Sequence, residues 1–143
     1  MKDIRITPES SPQPEDLQII SKGLRDYNTS QVGYDDIQKL AVFLRDENGK
    51  VMGGIDGHTY WGVLAIDHLW LHESLRGQGH GTQLLGAAEK EAARRGCKQA
   101  IVDTTSFQAP AFYKKHGYEV YGILDHSPDE HQRIYFKKQL NTK

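Results

Sequence analysis

The stretch that most narrows what this chain can fold into runs from Leu69 to Leu85. A strand-like apolar run, Leu69-Trp70-Leu71, meets Arg76-Gly77-Gln78-Gly79-His80-Gly81, and a helical pattern begins at Thr82. Glycines let a backbone close around a ligand, and the first amides of a helix have no internal partner. Several N–H donors and the positive end of the helix dipole therefore converge on one point, which suits phosphate. The fold must place a strand end beside a helix start, and a phosphate-bearing cofactor is expected there.

Spacing argues against two common phosphate sites. A P-loop needs a Lys between its last Gly and its Ser or Thr, whereas Thr82 follows Gly81 directly. The run Gly77-x-Gly79-x-Gly81 departs from the dinucleotide fingerprint, and a doubly wound domain would strain a chain of 143 residues. The pattern resembles instead the Arg/Gln-x-x-Gly-x-Gly/Ala signature of the GNAT superfamily of acetyl-CoA-dependent N-acetyltransferases, with Arg76, Gly79 and Gly81 on its defining positions. Downstream, Ala100-Ile-Val102 leads to a run from Ser106 to Tyr118 that resembles the family's second signature, Asn-x-x-Ala-x-x-x-Tyr-x-x-x-Gly-Phe. Ala109, Tyr113 and Gly117 match, Ser106 stands where the family has Asn, and Tyr118 where it has Phe. The two signatures cover roughly residues 65–124.

The rest of the chain reads as alternating elements. Ile4 to Thr7 is expected as a short strand, followed by a helix carrying Leu17, Ile20 and Leu24. Leu40 to Leu44 and Val51 to Ile55 flank Asn48-Gly49 as a hairpin, and Trp61 to Leu71 makes the next strand. Gly79 to Arg95 has Leu84, Leu85, Ala88 and Ala92 on one helical face and stops at Gly96. A strand at Ala100, a short helix from Ala109 to His116, and strands at Val120 to Leu124 and Arg133 to Phe136 complete the order. That is the order of GNAT folds. The resemblance implies an α+β fold with a mixed, mostly antiparallel twisted sheet of about six to seven strands flanked by helices. Counting Ile4 to Thr7 as the first, strands four and five splay apart.

Length fits one domain, expected to span residues 1–143 as a single N-acetyltransferase domain. With 18 basic against 19 acidic residues there is no basic field to suggest nucleic acid. The lone Cys97 suits a reducing compartment, no hydrophobic leader is visible, and no run approaches a membrane span, so a soluble cytoplasmic protein is expected.

By resemblance, acetyl-CoA is the co-substrate, lying between Leu69-Trp70-Leu71 and the segment from Thr104 to Tyr113. Backbone groups of the fourth strand would hold the pantetheine arm, and amides from Gln78 to Thr82 the pyrophosphate. The implied contacts are Leu69, Trp70, Leu71, Arg76, Gly77, Gln78, Gly79, His80, Gly81, Thr82, Ser106, Ala109 and Phe112. Acyl transfer to an amine needs a group to accept the amine's proton and one to protonate the departing thiolate. Tyr113 matches the family's thiolate-side tyrosine, and a phenol with a pKa of about 10 is a fair donor; the alternative is a tyrosine merely packed on its helix. Asp67, nine residues before Arg76, occupies a fourth-strand position where some members place a catalytic His or acid. Strand alternation puts it opposite His68, on the face of Leu69 and Leu71 unless a bulge intervenes. It is read equally as a proton acceptor and as a carboxylate bonded to a neighbouring strand, with His72 and Glu73 as lesser candidates.

No metal is expected, since His68 and His72 on one strand lie roughly 13 Å apart. The acceptor is expected to be a primary amine on a small molecule or peptide. The segments Tyr27 to Asp36 and Asp125 to His131, with Tyr34, Asp35, Asp129 and Glu130, would suit a cationic one if they line its path. Two other readings stay open: a protein acetyltransferase of the same fold and a non-catalytic acyl-CoA sensor. The resemblance also makes a homodimer plausible.

Overall fold

The computed structural model describes residues 3–140. The chain forms two compact units, one ending at Asp35 and the other beginning at Asp36. In the first, α1 spans Pro14–Val32. Pro14 opens the helix where its missing N–H costs nothing, Glu15 and Asp16 face the positive end of the dipole, and Gly33 ends it in the left-handed region at φ 99°. Leu17, Ile20 and Leu24 fall on this helix as their spacing predicts. Residues 4–7 form no strand. Four alternating residues ahead of Pro8 make a strand only where a sheet edge takes up their hydrogen bonds, and local pattern does not supply one.

The second unit carries β1 (Gln38–Arg45), β2 (Val51–Tyr60), β3 (Val63–Leu71), α2 (His80–Arg94), β4 (Gln99–Thr105), α3 (Pro110–Lys115), β5 (Glu119–Leu124) and β6 (Arg133–Gln139). They build one six-stranded sheet in the order β1-β2-β3-β4-β6-β5, parallel only between β3 and β4. The hairpin expected at Asn48-Gly49 forms, with the Asp46 carboxylate accepting the Asn48 and Lys50 amides at 2.8 and 2.9 Å. α2 lays Leu84, Leu85, Ala88 and Ala92 into a core shared with Leu40, Ile55, Leu64, Ile66, Ala100, Val102 and Phe136. No helix among the described residues is long and apolar enough to cross a membrane.

What positions the site is where β3 and β4 part. Their pairing stops after Val63–Gln99, Leu64–Ala100 and Ala65–Ile101, although β3 continues to Leu71 and β4 to Thr105. β4 stays paired with β6 to Thr105–Arg133, while β3 stays with β2 to Leu71–Gly53. The sheet is thus open between Ile66–Leu71 on one side and Val102–Thr105 on the other.

Candidate active site

The opening is a cleft of about 620 Å³. β3 lines it from Ile66 to Leu71, β4 and the turn after it contribute Val102, Asp103, Thr104, Phe107, Gln108 and Ala109, and α3 adds Phe112 and Tyr113, with Arg76 at one end. Tyr113 is 4% exposed, set edge-on to Phe112 and Tyr118 and tilted against Phe136. Burial, with the Asp103 carboxylate adding to it, pushes its hydroxyl up to about 12. It therefore holds its proton through the neutral range.

Past Arg76 the glycine turn is shaped as its sequence predicts. Gly77 and Gly79 sit at φ 74° and 86°, a region that L side chains avoid. The first bond of the α2 ladder runs from the Gln83 N–H to the Gly79 carbonyl at 3.2 Å, so the amides of residues 79–82 precede it. Gly81 is placed differently: a Cβ there would touch the Phe112 ring of α3 at 3.4 Å, leaving no room for a larger side chain in that direction. The side chains of this turn are occupied locally. Arg76 Nε donates to the Leu71 carbonyl at 3.0 Å, Gln78 to the Ser74 carbonyl at 2.9 Å, and His80 to Gln83 at 3.2 Å, while Thr82 Oγ1 lies 3.0 Å from His116 Nε2.

These features coincide with what comparison finds. Residues 7–118 match the acetyltransferase (GNAT) family. An acetyltransferase of Agrobacterium fabrum is 37% identical over 107 residues, 72% of this chain and 78% of that protein. The chain belongs to the GNAT acetyltransferase family. The blasticidin-S acetyltransferase of Streptomyces morookaense is 36% identical over 93 residues, 64% of this chain and 68% of that one. A crystal structure from Agrobacterium tumefaciens, 30% identical, superposes with a TM-score of 0.91 over 96% of this chain and 100% of its own.

Of the contacts the GNAT resemblance implies, Leu69, Trp70, Leu71, Arg76, Ala109 and Phe112 line the cleft together with Tyr113 and Asp67. Residues 77–82 continue from its Arg76 end along the turn. Ser106 does not line it: its hydroxyl accepts the Gln132 amide at 3.0 Å and its own N–H donates to the Gln132 carbonyl at 2.7 Å, turning it to β6. Gln108 does, and its Oε1 takes the Thr104 hydroxyl at 3.1 Å and the Thr105 amide at 3.0 Å. Sequence reading named Ser106 but not Gln108 within the segment from Thr104 to Tyr113; a Gln two residues past the Asn position was the available sign.

Asp67 sits where the alternation breaks. Asp56 pairs with His68 and Gly57 with Ile66, so Asp67 is the extra residue of a bulge. Asp67 and His68 are both exposed, while Leu69 and Leu71 are half-buried, so the simple alternation is corrected by the bulge it allowed for. A Cβ at Gly57 would collide with the Ala65 carbonyl, so the glycine is what permits this geometry. Two cross-strand pairs flank the bulge: His58 Nδ1 lies 3.5 Å from Asp67, and His68 Nδ1 donates to Asp56 at 2.8 Å. His58 escaped sequence reading because its partner was set by register. Of the lesser candidates, His72 Nδ1 accepts the Ser74 amide at 3.1 Å and Glu73 opens the turn after β3. Among the described residues no three His, Cys, Asp or Glu side chains gather as a metal site.

The Tyr at the family's Phe position also has a structural partner. Tyr118 donates to Glu89 on α2 at 2.7 Å, and Glu89 accepts Lys138 of β6 at 2.9 Å, tying helix, motif and sheet together. Burial and this carboxylate push the Tyr118 hydroxyl far above the ordinary phenol value.

Proposed function

We propose that this GNAT chain acts as a single domain over residues 1–143 that transfers an acetyl group from acetyl-CoA to a primary amine of a small molecule or peptide, by direct attack with both bound. The observation that carries the reading is a cleft lined by an unpaired β3 edge and a buried phenol, with Arg76 of its lining leading straight into the glycine turn. Acetyl-CoA supplies an acyl group already activated as a thioester. Backbone groups of Leu69–Leu71 that have no β4 partner suit the amides of the pantetheine arm. The amides of residues 77–82 suit the pyrophosphate, and Ala109 and Phe112 form an apolar wall.

Tyr113, still protonated at neutral pH, is the donor to the departing thiolate. Asp67, exposed at the rim with His58 behind it, accepts the amine's proton directly or through water. A relative named for blasticidin-S supports a small-molecule acceptor. The test is free-thiol release from acetyl-CoA with polyamines, aminoglycosides, amino acids and basic peptides as acceptors. Release confined to one small-amine class is expected. Acetyl-CoA binding with no release from any amine would favour the sensor reading, and release from basic peptides alone the protein acetyltransferase.

A further inference from the structure

We propose that the face of β1, β2 and β3 beside the cleft carries a subsite for a planar cation, which anchors the amine acceptor by a group other than the reacting amine. This rests on reading the cleft as the acetyl-transfer site. Gly54 of β2 pairs directly with Phe43 of β1 on one side and Trp70 of β3 on the other. Two aromatic rings therefore flank a residue with no side chain, and each is 53% exposed. Strands about 4.8 Å apart put the two flanking backbones about 9.6 Å from each other. The Phe43 ring leans over Gly54, and Phe43, Gly54 and Trp70 all line one groove in which a flat group can lie against exposed aromatic surface. A Cβ at Gly54 would lie 2.9 Å from the Val42 carbonyl and 3.3 Å from the Phe43 ring.

The next row along the strands supplies the charge. Ala41, Asp56 and His68 pair across the same three strands, and Asp56 shares the Gly54 face because it lies two residues further on. Ala41 and Asp56 line a groove of about 280 Å³ together with Phe43, Gly54 and Trp70. A carboxylate beside two ring faces selects a flat, delocalised cation such as an amidinium or guanidinium over a neutral plane. Arg45 already lies 5.0 Å from the Phe43 centroid, tethered to the Gly49 carbonyl at 3.1 Å, so Trp70 and Asp56 bear most of the selection. Trp70 and the Asp56 partner His68 also line the cleft. A molecule anchored in the groove thus reaches past Trp70 toward Asp67.

The probe is benzamidine, with benzamide as its neutral counterpart, titrated into the full 15N-labelled chain while the indole N–H signals of Trp61 and Trp70 are followed. The Trp70 signal is expected to shift saturably and the Trp61 signal to stay. Benzamide should bind about fivefold more weakly, and Phe43→Ala and Asp56→Asn should each weaken benzamidine about three- to tenfold. Both variants should keep wild-type acetyl-CoA affinity and melting temperature, which separates loss of the subsite from loss of the fold. A stationary Trp70 signal, as when another copy of the chain covers the groove, overturns the proposal, and so does benzamide binding as tightly as benzamidine. If benzamidine binds but no amine releases thiol, the transferase reading fails and the subsite stands. Thiol release without a Trp70 shift sinks the subsite alone.

Discussion

At Tyr113 the ring and the hydroxyl have separable duties. The ring packs against Phe112, Tyr118 and Phe136, which Phe preserves, so Tyr113→Phe removes only the hydroxyl. Under the proposed role turnover falls about a hundredfold while acetyl-CoA affinity by calorimetry changes less than about threefold. Wild-type turnover in this variant would remove the acid assignment. The raised hydroxyl also fixes the sign of a stability effect. A folded-state value near 12, above the ordinary 10, means the folded chain holds this proton more tightly than the unfolded chain. Its contribution is full below pH 10 and is lost as pH rises toward 12, so urea midpoints of wild type should fall more steeply over that interval than those of Tyr113→Phe. Under the proposed proton-accepting role, Asp67→Asn should slow turnover ten- to a hundredfold and His58→Gln by a smaller factor, since Asp67 lines the cleft and His58, 3.5 Å from it, does not. Equal losses in the two variants would move the proton-accepting role onto His58.

Between elements, the two glycines of the turn are needed for different reasons and should fail differently. Gly79→Val puts a β-branched residue at φ 86°, at the start of α2, and should weaken acetyl-CoA by at least about tenfold in calorimetry. Gly81→Val presses on Phe112 and should lower thermal stability as well. Unchanged affinity in Gly79→Val would take away the basis for putting the pyrophosphate at this turn. The turn, α2 and the Tyr113 helix were legible because each rests on local chemistry: positive-φ glycines, a helical apolar face, a glycine just past a helix end. What was not legible depended on partners distant in sequence. Ile4 to Thr7 has a strand's alternation but no strand's pairing, and Ser106 was assigned to the cofactor by motif position while its hydroxyl belongs to Gln132. The bulge at Asp67 lies between, since the alternation of β3 allowed for one there, while Gly57, which makes room for it, lies beyond the strand expected at Val51 to Ile55. Tyr118 adds a link that a Phe could not make. Tyr118→Phe leaves Glu89 with Lys138 alone and should cost about 1–2 kcal/mol in chemical denaturation with acetyl-CoA affinity unchanged.

The six-stranded unit is held unevenly as a whole, and the unevenness falls on the cleft. Below Ala65 and Ile101 the two halves of the sheet share hydrogen bonds; above them each half is tied only to its own outer neighbour, β3 to β2 and β4 to β6. The core beneath α2 spans both halves, with Leu64 and Ile66 on one and Ala100 and Val102 on the other, so the unit stays joined while its upper edge remains open. A ligand that bonds the free β3 edge and reaches the start of α2 would supply the missing cross-link. It would bind the folded chain and not the unfolded one, so at a hundred times its dissociation constant it should add about 2.7 kcal/mol. For a chain of this size that is a rise in melting temperature of roughly 5–10 °C. The location of the effect is the sharper test. In hydrogen exchange, acetyl-CoA should slow amides within Ile66–Leu71 and residues 77–82, and leave Val63–Ala65, already paired to β4, unchanged. Protection spread evenly over the sheet, or confined to β5 and β6, would mean that the ligand does not bridge the splay, and the cleft would lose its claim to the thioester.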